Sequence, residues 1–214
     1  MVGKIILSLF FVSVARAESP DLNLAKEIIL KGNKTGALAC IACHQENGAG
    51  IPSAGFPQLA GLSSAYFSKQ IYDFKNMLRI NPVMQPIAKG LNESEIKSLA
   101  AYFSALAPVA NTEKSTAPQL VEEGRLIAEK GLWEKGVPAC FACHGPEGRG
   151  VGDNFPPIVS QGKTYLIQQF QAWKKGTRKN DPNQLMKTVA MKLTDKEINA
   201  VANFLGQVTM EVKK

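Results

Sequence analysis

Cys40-Ile41-Ala42-Cys43-His44, repeated as Cys140-Phe141-Ala142-Cys143-His144, decides how this chain folds and what it carries. A Cys-x-x-Cys-His run is the signature of covalent c-type haem attachment. Each sulfur adds across one porphyrin vinyl group, and the histidine that follows sits under the iron as proximal ligand. A zinc knuckle or a dithiol redox pair explains the cysteine spacing but not a histidine after the second cysteine, twice. The two runs use all 4 cysteines and both of the 2 histidines in the chain. Cys40, Cys43, Cys140 and Cys143 are therefore expected to bind two covalent haem c groups, with His44 and His144 as iron ligands.

Outward from the motifs, the whole chain repeats. The cysteines and histidine recur at an offset of 100. Phe56-Pro57 recurs as Phe155-Pro156, Tyr66 as Tyr165, Gln70 as Gln169, Phe74 as Trp173 and Arg79 as Arg178, all at 99. Met84 matches Met186, and Leu91-Asn92-Glu93-Ser94-Glu95-Ile96 matches Leu193-Thr194-Asp195-Lys196-Glu197-Ile198, at 102. Between the copies, residues 109–118 have no periodicity and read as a linker. The expected organisation is thus a domain over 18–108, the linker, and a domain over 119–214.

Apolar periodicity predicts helices from Leu22 to Lys31, Ala65 to Met77 and Glu93 to Leu106 in the first copy. The second copy predicts them from Leu120 to Lys130, Thr164 to Lys175 and Asp195 to Val208. Asn92 with Glu95, and Thr194 with Glu197, form capping-box patterns at the start of the last helix of each copy. Gly124 stands where the first copy has Ala25, and Tyr102 and Phe204 occupy matching positions. A small residue facing an aromatic would suit a close crossing of first and last helices. Strand patterns are essentially absent, so the fold class is all-α with two tandem domains. Each copy is about 90 residues, small for an unaided core, and a buried haem would supply much of the missing apolar mass.

Residues 1–17 read as a signal peptide: Lys4, the apolar run Ile5 to Val14, then the cleavage site Ala15-Arg16-Ala17. The mature chain would be exported to a periplasm, where c-type haem is attached. Cleavage removes Lys4 and Arg16, which lowers the net charge from +7 by two. The haem propionates offset most of what is left. No basic stripe is interleaved with aromatics, so nucleic-acid binding is excluded as a function.

The distal iron ligand separates electron carriers from enzymes. With both histidines and all cysteines committed, methionine, lysine, tyrosine, water or an open site are left. In the first copy Met77 falls in a helix pattern, as a gap-filling core residue. Met84, in Asn81-Pro82-Val83-Met84-Gln85-Pro86, is expected in a stiff extended loop and is the chosen ligand. In the second copy the repeat selects Met186, with Met191 the fallback and Met210 in the C-terminal tail. The loop before Met186 is three residues longer and lacks the second proline, so its methionine is expected to be held less tightly. A thioether favours ferrous iron and fills the coordination sphere, which suits outer-sphere electron transfer.

These features resemble the dihaem cytochrome c4 family, two class I cytochrome c domains in tandem. The resemblance rests on both Cys-x-x-Cys-His runs, the Asn-Pro-Val-Met segment, the Tyr…Gln…aromatic…Arg helix and the duplicated ending. It implies that the domains face each other about a pseudo-twofold axis with haem propionates near the interface. It implies that Pro57 accepts a hydrogen bond from His44, and Pro156 from His144. Tyr66, Arg79, Tyr165, Trp173 and Arg178 would be propionate-side donors. Phe74, in the place of Trp173, cannot donate, so the two haems should not be equivalent. The implied function is a periplasmic electron carrier, not an enzyme, with an upstream quinol-oxidising complex or dehydrogenase and a downstream terminal oxidase as redox partners, and with peripheral membrane association. The alternative is the dihaem subunit of an enzyme complex such as a flavin-containing sulfide dehydrogenase. A dihaem enzyme such as a thiosulfate dehydrogenase typically needs an additional cysteine ligand, which this chain lacks.

Overall fold

Local side-chain chemistry opens and closes the helices of the computed structural model, which describes residues 19–210. The expected signal peptide lies outside the described residues, as do the last four. Asp21 Oδ1 accepts from the backbone N–H of Asn23 at 2.9 Å and of Leu24 at 3.1 Å, starting α1 (Leu22–Lys31). Both anticipated capping boxes form. Asn92 and Glu95 start α5 (Glu93–Ala105), and Thr194 and Glu197 start α10 (Asp195–Gln207).

Each repeat folds the same way. The first has α1, the single turn α2 (Ile41–His44), α3 (Ser64–Lys75), α4 (Met84–Lys89) and α5. The second has α6 (Pro118–Lys130), α7 (Cys140–His144), α8 (Lys163–Lys174), α9 (Leu185–Lys192) and α10. The first and last helices cross, α1 on α5 and α6 on α10, while α3 and α8 pack on those pairs. Among the described residues the only β pairing is four isolated bridges, so the fold is all-α as expected.

The close crossing expected of Gly124 is present. A Cβ there would lie 2.0 Å from the Ala200 carbonyl oxygen, so the glycine lets α6 touch the backbone of α10. Phe204 packs on Phe141, ring centres 6.4 Å apart, and Tyr102 edge-on against Phe103. Two expectations are corrected. Met77 is neither helical nor core. Helix α3 stops at Lys75, the N–H groups of Leu78 and Arg79 both turn back to the Asp73 carbonyl, and Met77 sits 51% exposed at φ +61°. Met84 is not in an extended loop but is the first residue of α4. Asn81 Oδ1 caps the Val83 and Met84 N–H groups at 3.0 and 2.9 Å. Pro86 is tolerated there because first-turn amides have no partner inside the helix.

The segments after α3 and α8 meet each other. Arg79 and Arg178 form an antiparallel bridge, with Ile80 N–H donating to the Thr177 carbonyl and Lys179 N–H to the Leu78 carbonyl, both at 2.7 Å. This joins the two repeats by reciprocal contacts about a local twofold.

Candidate haem sites and the contact between repeats

In α2 and α7 the Cys-x-x-Cys spacing puts both sulfurs on one side of a single helical turn, with the histidine next in line. Each histidine is buried, and its Nδ1 meets a proline carbonyl: His44 with Pro57 at 2.9 Å, His144 with Pro156 at 2.8 Å. With Nδ1 engaged, Nε2 is the nitrogen left for iron. Phe56 and Phe155 stand edge-on to the two rings at 6.5 and 6.2 Å. Gly50, at φ +76°, allows the approach, since a Cβ there would sit 2.4 Å from the Phe56 carbonyl oxygen and 2.6 Å from Pro57. Burial lowers both histidine pKa values, against the proline bonds that raise them, which favours the neutral ring that a metal ligand must be. Burial also pushes the Cys40 and Cys140 thiols up to about 11.

The methionines differ in exposure. Met84 is half-buried against the first repeat's apolar core, which Cys40, Ile41 and Leu59 also line. Met186 is half-buried beside a cluster containing Phe170, Trp173 and Ala190. Met191 is 60% exposed. In the second repeat the cluster beside Cys140 and Phe141 is separate from the one beside Met186.

Tyr66, Arg79, Tyr165 and Arg178 come together across the contact between repeats. Arg79 Nη2 donates to Tyr165 Oη at 2.9 Å and to Gln169 Oε1 at 2.8 Å, and Nη1 to Gln70 at 3.0 Å. Arg178 Nη2 donates to Tyr66 Oη at 3.2 Å and Nη1 to Gln169 at 3.0 Å. Each guanidinium also lies over an aromatic ring, Arg79 over Phe74 at 4.6 Å and Arg178 over Trp173 at 4.2 Å. Burial and then the nearby Arg79 charge hold Arg178 below its ordinary pKa. Burial alone would raise Tyr165, but the two arginines pull its phenol down.

Haem fits this arrangement. Two buried guanidiniums bond mainly to neutral hydroxyls and amides, and buried cations call for anionic partners such as propionates. Asp73 is the carboxylate that joins this network, through Asn180 Nδ2 at 2.7 Å, and it is already paired with Lys69. Trp173 Nε1 is a buried donor without a hydrogen-bond partner, and Phe74 offers no equivalent.

Residues that break the repeat escape a reading built on it. Asp73 stands where the second copy has Ala172, Gln58 where it has Pro157, and Gln161 where the first copy has Leu62. The departures themselves were the available signal.

The cytochrome c family model matches residues 29–107 and again 121–209. The chain is 45% identical to a thiosulfate dehydrogenase electron acceptor of Stutzerimonas stutzeri over 83% of this chain and 82% of that protein. It is 38% identical to a cytochrome c4 of Thiocapsa roseopersicina, over 78% of this chain and 85% of that one. Among solved structures, a thiosulfate dehydrogenase of Marichromatium purpuratum superposes with a TM-score of 0.82 at 38% identity. The match covers 87% of this chain but 40% of that longer one. Reduced cytochrome c4 of Pseudomonas stutzeri superposes with a TM-score of 0.76 at 28% identity, covering 89% of this chain and 100% of that one.

Proposed function

As this chain belongs to the cytochrome c family, a dihaem electron carrier of two tandem haem c domains akin to cytochrome c4, we propose that it accepts electrons from a thiosulfate-oxidising dehydrogenase. The partner assignment is carried by the similarity to a protein named for that role, matched over most of both chains. It replaces the flavin-containing dehydrogenase as the enzyme-linked alternative.

Cys40, Cys43, Cys140 and Cys143 hold the two haems, which supply one-electron redox chemistry. His44 and His144 would ligate the irons through Nε2, each oriented by its proline carbonyl. Met84 and Met186 would supply the second protein ligand to each iron, which would leave no coordination site for a substrate. Arg79 and Arg178 would compensate propionate charge at the contact between domains, with Tyr66, Tyr165 and Trp173 as neutral hydrogen-bond donors beside them. The protein performs no substrate chemistry of its own. It works in the periplasm after export and passes electrons on toward a terminal oxidase.

Rapid mixing of the oxidised protein with thiosulfate tests this reading. Thiosulfate alone should leave both haems oxidised, and a catalytic amount of a thiosulfate dehydrogenase should reduce both. Turnover of thiosulfate by this chain alone, or no reduction with the dehydrogenase present, would contradict it.

A further inference from the structure

The peptide unit that accepts the His44 hydrogen bond is gripped from the other domain. Its carbonyl, from Pro57, meets His44 Nδ1 at 2.9 Å. Its N–H, from Gln58, donates to Gln161 Oε1 at 3.0 Å. Gln161 Nε2 in turn donates to the Gln58 carbonyl at 2.9 Å. Gln58 and Gln161 are 3% and 5% exposed, so water does not compete for these bonds. The Gln58 side chain adds a third tie, accepting from the Val109 N–H of the linker at 2.6 Å.

One peptide plane therefore links His44 Nδ1–H, the Pro57 carbonyl, the Gln58 N–H and Gln161 in a continuous hydrogen-bonded chain. Such chains polarise along their length: an amide whose N–H is bonded becomes a better acceptor at its oxygen. The second domain has no counterpart. The peptide carrying the Pro156 carbonyl ends on the nitrogen of Pro157, a tertiary amide with no N–H to give. Leu62, in the place of Gln161, could not accept one.

The approach of the domains is built in beside the clamp. Gly162, next to Gln161, has no room for a side chain, since a Cβ would lie 2.8 Å from Pro52 Cα of the first domain. The first copy has Ser63 there.

We propose that Gln161 is a positioning residue for the first haem: the second domain orients and polarises the proximal-histidine carbonyl of the first, and nothing does the reverse. A stronger acceptor on Nδ1–H makes the imidazole a stronger donor to iron and favours the ferric state. The clamp thus lowers the potential of the first haem alone. This rests on the reading of His44 as proximal ligand.

The test is a two-wave redox titration of the holoprotein, with Gln161→Met preserving volume, Gln161→Ala as a second variant, and Gln58→Pro removing the N–H itself. Met84→Ala identifies the first haem's wave by altering its spectrum. The His44 Nδ1–H proton resonance supplies an independent readout. Each clamp variant should move the first wave to higher potential, a several-fold change in its reduction equilibrium, and shift that proton resonance, with the second wave unmoved. A folded variant with neither wave displaced, or with the second displaced as far as the first, would overturn the proposal. If the unaltered protein lacks a histidine-ligated first haem, the ligand assignment fails instead, before any variant is read.

Discussion

Met84 shows what residue-level reading captures and what it loses. Its place in the repeat singles it out among six methionines, but the flanking prolines read as an extended loop when they open a helix. Pro82 and Pro86 fit either reading, and only the Asn81 cap decides between them. If Met84 and Met186 are the distal ligands, Met84→Ala and Met186→Ala should each remove about half of the far-red methionine-to-ferric-iron absorption, and Met191→Ala should leave it whole. Met77 was misread because its apolar side chain continues the helix pattern, whereas the backbone must turn there to deliver Arg79. The second copy uses Gly176 for that turn, at φ +67°. A non-glycine residue in this conformation costs about 1–2 kcal/mol, and glycine's extra unfolded-state entropy returns part of it. Met77→Gly should therefore raise the stability of the holoprotein by up to about 1 kcal/mol in denaturant unfolding.

At the scale of elements, the long amphipathic helices were legible because periodicity and caps agree. Helix α1 runs over the predicted residues, and the other five long helices lie within two residues of expectation at each end. Helices α4 and α9 were not anticipated. They are too short for periodicity to register, and tertiary packing against α3 and α8 sustains them. The crossing of α6 on α10 depends on Gly124. Alanine there gains roughly 1 kcal/mol in helix propensity but forces a Cβ into the Ala200 carbonyl. The clash wins, and Gly124→Ala should destabilise the second domain by about 1–3 kcal/mol, read as an earlier thermal transition. Ala25→Gly in the first domain, where no such approach is required of glycine, should cost only about 1 kcal/mol.

At the scale of the molecule, the duplication made the two-domain, two-haem design readable, and it hid what the copies do not share. The arginine pair, both tyrosines and both proximal prolines recur in the two copies and could be listed in advance. Their exchange across the contact, with Arg79 on Tyr165 and Arg178 on Tyr66, belongs to three dimensions and leaves no trace in either copy alone. The asymmetric parts, Gln58, Gln161, Asp73 and the lone donor of Trp173, give two like sites unlike surroundings. The central claim is that two closed haems make this chain an electron relay without substrate chemistry. A reductive titration of the unaltered protein, followed by carbon monoxide, tests it most directly. Two electrons taken up per chain and no carbon monoxide adduct on either iron is the predicted result. Rapid formation of an adduct on the native protein would contradict it.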